Sequence, residues 1–122
     1  MNDYQEQLKQ KMDKYVHFVY QQTKGFPKQE RYGSITQWRR CTLSIILNYI
    51  EGYARRKPLV SLNFLAVAYG LLMESDYLLN FCRQEGYLDV TSYDSGVDLS
   101  KQIGAMLWTE IVNLEKSKTK SI

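Results

Sequence analysis

The residues of this sequence with the clearest chemical potential are basic side chains concentrated in residues 24–57. That segment holds eight lysines and arginines against two acidic residues. An arginine guanidinium presents forked N–H donors that fit phosphate oxygens, and the nearby rings of Tyr32 and Tyr53 suit stacking against bases. We therefore predict binding to RNA or DNA. The predicted nucleic-acid-binding residues are Lys28, Arg31, Arg39, Arg40, Arg55, Arg56 and Lys57.

A purely structural role for the same basic side chains is the competing interpretation. Glu51 precedes Arg55 by one helical turn, which is the spacing of an ion pair on a helix surface. Residues 58–115 hold eight acidic and two basic side chains, which offers Arg39 an acidic partner on another helix or another subunit. Charge separated in this way suits either an anionic partner or contact between subunits, and the sequence leaves both open.

No set of residues has the spacing of a catalytic or metal site. His17 is the single histidine and cannot form a metal site alone, and Cys41 and Cys82 form no CxxC pair. Glu74 and Asp76 would point to different faces of a helix, and no phosphate-loop, serine-hydrolase or dinucleotide motif occurs. We predict no enzyme activity, no catalytic residue, no metal and no cofactor. We expect His17 on a helix surface or satisfied in the core, and both cysteines reduced and packed as small hydrophobic residues.

Helical spacing of apolar residues accounts for most of the chain, whose length suits one domain with one core. Pro27 breaks the pattern after the first segment, Pro58 can begin a helix, and Gly86 can end one. Ser34 followed by Gln37 fits a capping box at the start of the second helix. The predicted fold is all-α, an antiparallel up-down-up-down four-helix bundle. Within one domain over residues 1–122, the predicted helices span about 3–24, 34–56, 58–85 and 92–117, with a basic tail at 116–122.

The second predicted helix has more apolar surface than a bundle helix needs. Its two apolar stripes cover about half of its circumference, whereas roughly three positions in seven suffice. The stripes consist of Ile35, Trp38, Thr42, Ile45, Ile46, Tyr49 and Tyr53, and of Leu43, Leu47, Ile50 and Ala54. Surplus apolar surface is often buried between copies of a chain, so we predict a homo-oligomer. The predicted interface residues are Trp38, Ile45, Tyr49 and Tyr53. The alternative is a central helix covered by its own neighbours.

A narrow polar strip completes the second predicted helix. It consists of Gln37, Arg40, Ser44, Asn48, Glu51 and Arg55. In an oligomer this strip would line a central channel, and in a single copy it would be the solvated side of the helix. The sequence favours neither interpretation.

The N-terminal residues and the length of the apolar runs bear on localisation. Residues 1–10 are polar and of mixed charge, unlike the start of a signal peptide. No apolar run approaches the roughly 20 residues that span a bilayer. We predict a cytoplasmic protein without membrane association.

Three segments resemble the signature of a known bacterial family. They are Phe26–Gly33, then Gln37 with Arg39-Arg40, then Asn48–Arg55. The family consists of four-helix-bundle proteins first met in intervening sequences of 23S ribosomal RNA. It also contains the accessory variability determinant of diversity-generating retroelements. The resemblance covers roughly residues 4–114, and its specific part is the block 26–56.

The resemblance implies a four-helix protomer assembled into a barrel-like homopentamer, with a positively charged surface for nucleic acid and no enzyme activity. In the retroelement branch it also implies docking onto a reverse transcriptase. The sequence departs from many relatives at Cys41-Thr42, where they have small residues, and at Ile46, where they have a proline. Without that proline the second helix should be straighter. The main hypothesis is a nucleic-acid-binding scaffold, and the alternative is a protein-interaction adaptor such as a reverse-transcriptase accessory subunit.

Overall fold

Four long helices form the protein over the residues that the structure describes. The structure is a computed structural model that describes residues 1–120, with side chains through Ser117. The helices are α1 (Asp3–Thr23), α2 (Thr36–Ala54), α3 (Pro58–Gln84) and α4 (Val90–Lys120), with a 3-10 turn at Lys28–Glu30 and a π-helical turn at Arg31–Ile35. Each helix packs against the next, and α4 packs against α1, so the four surround one core. The predicted all-α four-helix bundle is confirmed over these residues.

The ends of α1 and α3 follow from local hydrogen bonds. The Asn2 side chain accepts from the backbone N–H of Gln5 at 2.9 Å, and the Gln5 side chain accepts from the backbone N–H of Asn2 at 3.0 Å. This reciprocal capping box satisfies two N–H groups that the first turn leaves unpaired. At its far end, α3 stops before Gly86, whose φ of +80° favours glycine. The predicted stop at Gly86 is confirmed.

The predicted capping box at Ser34 is wrong. No side chain caps α2, which begins at Thr36 after the π-helical turn. The Ser34 hydroxyl is buried and donates instead to the Glu30 carboxylate at 2.7 Å. In a cap the hydroxyl would accept from a backbone N–H, whereas here it donates to a charged carboxylate, which forms a strong hydrogen bond. The π-helical turn also moves the start of α2 to Thr36, beyond the position that Ser34 would cap.

The start of α4 lies two residues before the predicted position. The Asp89 carboxylate accepts from the backbone N–H of Ser92 at 2.7 Å, as an N-cap does. This hydrogen bond lowers the pKa of Asp89 below its ordinary value of 3.8. At the other end, the backbone of α4 continues to Lys120. Most of the predicted basic tail at 116–122 lies outside the described side chains.

One buried serine joins three helices in the centre of the core. Ser75 on α3 is fully buried, and its Oγ accepts a hydrogen bond from the indole N–H of Trp38 on α2 at 2.9 Å. The same hydroxyl is 2.7 Å from the phenol oxygen of Tyr15 on α1. Buried polar groups cost free energy unless they are paired. This junction therefore allows two large aromatic residues to be buried without leaving a donor unpaired.

Helix α3 contains the longest apolar stretch of the described residues. By length and composition alone, it is the one described helix that could cross a bilayer. A core helix of a water-soluble bundle passes the same test, and α3 packs against both α2 and α4. The signal is weak, and the absence of membrane association stays a prediction.

Gly52 allows the close approach of α2 to α3. A Cβ atom placed on Gly52 would lie 2.5 Å from Leu65 Cδ1 and 3.3 Å from both Phe64 Cβ and the Ser61 carbonyl oxygen. The last two groups belong to the α3 backbone or adjoin it, so a side-chain rotation alone cannot relieve the contact. The two helices can maintain this separation only with glycine at position 52.

We expect Gly52→Ala to lower the free energy of unfolding by about 1–3 kcal/mol, because the added methyl group overpacks the α2–α3 contact. The measurement is urea denaturation followed by circular dichroism. Gly70→Ala is the matched control, because a Cβ on Gly70 meets nothing within 4 Å. Alanine there should stabilise the helix by about 0.5–1 kcal/mol. Equal effects of the two substitutions would contradict the proposed close contact.

Candidate nucleic-acid interface

The structure separates the seven predicted nucleic-acid-binding residues into two groups at opposite ends of α2. Lys28, Arg31, Arg39 and Arg40 lie in the turns before α2 or in its first turns, and Arg55, Arg56 and Lys57 follow its last turn. A helix of 19 residues is about 28 Å long. The seven side chains therefore do not form one continuous patch on a single copy.

Arg39 binds the C-terminal end of α1 and serves a structural role. Its Nε donates to the Thr23 hydroxyl at 2.8 Å, and its Nη2 donates to the Tyr20 carbonyl at 3.3 Å. The guanidinium also lies over the Tyr20 ring, 4.6 Å from the centroid. The last carbonyls of a helix lack intrahelical partners, and a cation stabilises that end. Within one copy, Arg39 thus pairs with a hydroxyl, a carbonyl and a ring, and not with an acidic residue of another described helix. An acidic partner on another subunit stays a prediction.

The group at the C-terminal end of α2 combines one engaged arginine with two free cations. Arg55 forms the predicted ion pair with Glu51 and lies 5.2 Å from the centroid of the Phe64 ring. Arg56 and Lys57 are exposed in the turn before α3. Within residues 1–117 their side chains form no hydrogen bond or ion pair, so both are available to an anionic ligand.

The group at the N-terminal end of α2 lies beside exposed aromatic rings. The Arg31 guanidinium is 5.6 Å from the centroid of the Tyr32 ring, and Tyr32 is 87% exposed. A depression of about 420 Å³ runs from Tyr32 to α3, where Tyr77 and Phe81 stack with their centroids 6.4 Å apart. Lys28 is exposed in the preceding turn. An arginine beside an exposed ring is an arrangement with which proteins bind single-stranded nucleic acids, by stacking and phosphate contacts. The depression itself is lined by the Glu30 carboxylate.

The polar strip lies along the groove between α2 and α3. Arg40 is exposed in a depression of about 230 Å³ that it shares with Cys41, Glu74, Gln37, Ser44 and Leu71. The Cys41 thiol is 3.0 Å from the Leu71 carbonyl oxygen, and burial raises its pKa to about 12. The thiol is therefore unreactive at neutral pH, and the groove offers one free guanidinium. In one copy this strip is the solvated side of α2.

The predicted oligomer interface is wrong for three of its four residues. Trp38, Ile45 and Tyr49 are at most 1% exposed in a single copy, because they face α1, α3 and α4. Tyr53 is half-buried, with its ring centroid 5.0 Å from that of Tyr49. The second stripe is the one that remains uncovered. Its exposed residues are Leu43, Leu47 and Ile50, and α3 adds Leu59, Val67, Met73 and Tyr77.

The remaining titratable residues that the sequence singled out have ordinary surroundings. His17 lies on the surface of α1, with its Nε2 3.4 Å from the Asp13 carboxylate. Cys41 and Cys82 are buried and free, as predicted. Among the described residues, no three histidine, cysteine, aspartate or glutamate side chains are grouped so that they could hold a metal ion.

The sequence analysis did not predict the buried carboxylate on α4. Glu110 is only 6% exposed and accepts a hydrogen bond from the phenol of Tyr49. Burial raises the pKa of Glu110 above its ordinary value of 4.5, although the hydrogen bonds from Tyr49 and Gln5 oppose this change. Glu110 lies three residues after the buried Leu107, at the helical spacing of the core stripe. That spacing is the signal from which its burial was predictable.

Comparison with known proteins found a matching family model and a similar solved structure. The family model of the 23S rRNA-intervening sequence protein matches residues 5–109. A crystal structure of a protein with unknown function from the S23 ribosomal protein family of Bacteroides thetaiotaomicron has a TM-score of 0.80 and 21% sequence identity. The match covers 88% of this chain and 97% of the other. At that identity it supports the fold alone. No curated protein matches the sequence, and neither match names a retroelement, so the reverse-transcriptase adaptor gains no support.

The adjacent arginines should behave differently when each is replaced by alanine. We expect Arg39→Ala to lower the free energy of unfolding by about 1.5–3 kcal/mol, because charged hydrogen bonds to α1 are lost. Arg40→Ala should change it by less than about 0.5 kcal/mol, because the side chain is exposed and unpaired. Thermal and urea unfolding of both variants provide the measurement. A larger loss of unfolding free energy for Arg40→Ala than for Arg39→Ala would contradict the structural role of Arg39.

Proposed function

Since this chain belongs to the 23S rRNA-intervening sequence protein family, we propose that it is a non-enzymatic, self-associating helical scaffold that binds RNA or DNA. The binding groups are the free cations at the two ends of α2. One observation supports this proposal above the others: the exposed Arg31, which forms no ion pair within residues 1–117, lies against the exposed ring of Tyr32 before the start of α2. The proposed function requires binding and no chemical reaction, and these side chains are sufficient for binding.

The free side chains provide phosphate contacts, and the rings provide stacking. Arg31 and Arg40 present guanidinium groups to solvent, and Tyr32 and Tyr77 present ring faces within the same region. Phosphate contacts bind without reading sequence, and every base has a face for stacking. The proposed binding is therefore tolerant of sequence and strongly weakened by salt.

Self-association is supported by the uncovered apolar stripe on α2. Leu43, Leu47 and Ile50 form an exposed apolar face, and Leu47 is 54% exposed. The outer face of α3 has exposed apolar residues of its own, and the polar strip lies in the groove between the two faces. A large exposed apolar surface marks an interaction site. A closed ring of copies is the usual symmetric solution, and the pentamer implied by the resemblance belongs to this class.

A ring would also bring together the equivalent basic groups of neighbouring copies. In one copy the two groups lie about 28 Å apart along α2. In a ring with cyclic symmetry, the equivalent ends of α2 in all copies lie at the same level around the axis. The basic group at one end of each copy then becomes part of a circular row of cations, along which a phosphate backbone can bind.

Charge reversal at the start of α2 should weaken nucleic-acid binding. We expect the double variant Arg31→Glu/Arg40→Glu to bind a labelled RNA at least about tenfold more weakly, with a salt dependence reduced by about two counterions. Fluorescence anisotropy between about 50 and 200 mM salt measures both quantities. A parallel series with single-stranded DNA distinguishes the two ligands.

The matched control is Lys14→Glu/Lys101→Glu, which reverses the same number of exposed positive charges on α1 and α4. It should retain most of the affinity. Equal weakening by both double variants would show that total charge alone governs binding. Absence of binding by the unchanged protein at about 50 mM salt, where phosphate contacts are strongest, would refute the proposal.

Self-association should depend on the outer stripe of α2. We expect light scattering to give a mass that is a multiple of 14.4 kDa for the unchanged protein. Leu47→Glu should reduce it towards one copy, because a charge in an apolar interface lacks a partner. Circular dichroism should show unchanged helicity, since Leu47 is exposed in the single copy.

Gln10→Glu, at an exposed position on α1, is the control and should keep the assembled mass. A mass of 14.4 kDa for the unchanged protein at working concentrations would refute self-association. Assembly that survives Leu47→Glu would instead place the interface elsewhere on the surface.

A further inference from the structure

A second cavity opens at the end of the bundle where α1 begins and α2 ends. Its volume is about 330 Å³, within the range of small-molecule sites. Tyr4 and Gln5 from α1, Tyr53 from α2, and Glu110 and Asn113 from α4 line it. With Asn2 it combines two phenol rings, three side-chain amides and one carboxylate in a small volume.

The Glu110 carboxylate lies at this cavity without a positively charged partner. One of its oxygens accepts from the Tyr49 phenol, and the other is 3.5 Å from Gln5 Nε2, at the long limit of a hydrogen bond. Within residues 1–117, no lysine, arginine or histidine forms an ion pair with Glu110. A buried carboxylate is costly unless a cation or a proton neutralises it. The second oxygen therefore retains capacity for a cationic donor.

The groups that act electrostatically on the Tyr49–Glu110 pair include no lysine, arginine or histidine. The titratable groups that face the Tyr49–Glu110 pair are Tyr4 and Glu6 on α1. Lys9, the basic residue close to Glu6, is occupied by an ion pair with it at 3.4 Å. Burial raises the pKa of Tyr49 above its ordinary value of 10.0, so this phenol stays neutral and keeps donating. The cavity thus has an anionic end and aromatic sides.

We propose that this cavity binds a small organic cation, namely a primary alkylammonium ion, through the Glu110 carboxylate. The ammonium group donates to the carboxylate oxygen that Gln5 contacts at 3.5 Å, and the Asn113 side-chain oxygen offers a further acceptor. The alkyl chain and the positive charge both gain from the rings of Tyr4 and Tyr53, by apolar contact and by cation–π attraction. The site is separate from the cations of the proposed nucleic-acid interface, and it stands whether or not that interface is correct.

The test titrates the full chain with n-butylammonium chloride at pH 8 by calorimetry and by thermal unfolding. We expect saturable binding with a Kd of about 1 mM or tighter, and a rise in Tm because the ligand binds the folded state. n-Butanol, which has the alkyl chain without the charge, should give neither effect. Potassium chloride at equal concentration tests for an inorganic cation. Equal responses to potassium and butylammonium would overturn the assignment to an organic ammonium ion.

Glu110→Gln should weaken butylammonium binding at least tenfold, because the neutral amide keeps an acceptor for Tyr49 but loses the charge. Glu51→Gln is the matched control, since it makes the same chemical change in an exposed ion pair, and it should keep the affinity. Asn113→Trp, at an exposed residue on the cavity rim, should block entry while leaving Glu110 intact. Unchanged affinity in either Glu110→Gln or Asn113→Trp would refute the site.

Acidification gives an independent readout on the unchanged protein. Protonation of Glu110 removes the charge that attracts the ligand, so affinity should fall as the pH is lowered. Because the pKa of Glu110 is raised, the fall should begin above pH 4.5. A pH dependence that persists in Glu110→Gln would belong to another group and would contradict the assignment to Glu110. A binding constant that does not change with pH in the unchanged protein would refute the role of Glu110.

Discussion

A hydroxyl group on α3 constrains how α2 packs in the bundle. Ser75 pairs with the indole of Trp38 on α2 and the phenol of Tyr15 on α1, and all three side chains are buried. Leaving one of these groups unpaired would cost about 1–3 kcal/mol, so rotations of α2 that move the indole away are disfavoured. The observed rotation directs the aromatic stripe of α2 inward, and therefore Leu47 and Arg40 lie outside.

The close contact at Gly52 acts together with this junction. The serine sets the rotation of α2 near its first turns, and the glycine sets its distance from α3 near its last turn. Two contacts at opposite ends of a rigid helix define its axis. The orientation of both basic groups follows, because each is attached to one end of α2 by a short stretch of chain.

Sequence patterns predicted the four helices better than they predicted which face of each helix packs against its neighbours. Helical spacing and Gly86 were sufficient for the four helices, since these signals are local. Periodicity also identified both stripes of α2, but it contains no information about which stripe faces the neighbouring helices. The assignment of Trp38 to an interface was wrong for that reason. The capping prediction at Ser34 was wrong because the Ser34 hydroxyl donates to the carboxylate of Glu30, four residues earlier.

The candidate site likewise depends partly on residue types, which the sequence shows, and partly on helix packing, which it does not. Residue type placed the arginines in a basic segment, yet only the packing of α1 against α2 separates Arg39, bound to the Tyr20 carbonyl, from the free Arg40. The sign of a charge does not reveal its environment. Exposed cations are screened within about 10 Å by ordinary salt, whereas the Glu110 carboxylate is buried and retains its field. Cationic and anionic sites can therefore coexist at one end of a small bundle.

The length of α2 sets a minimum size for any rod-like ligand that bridges its two ends. Its 19 residues act as a rigid spacer of about 28 Å. Successive base pairs of a duplex advance by about 3.4 Å, so a duplex aligned with α2 must contain at least roughly eight of them to cover the length of this helix. Under the proposed function, a shorter duplex would reach only one set of cations, so the length of α2 would set the minimum length of a bridging duplex.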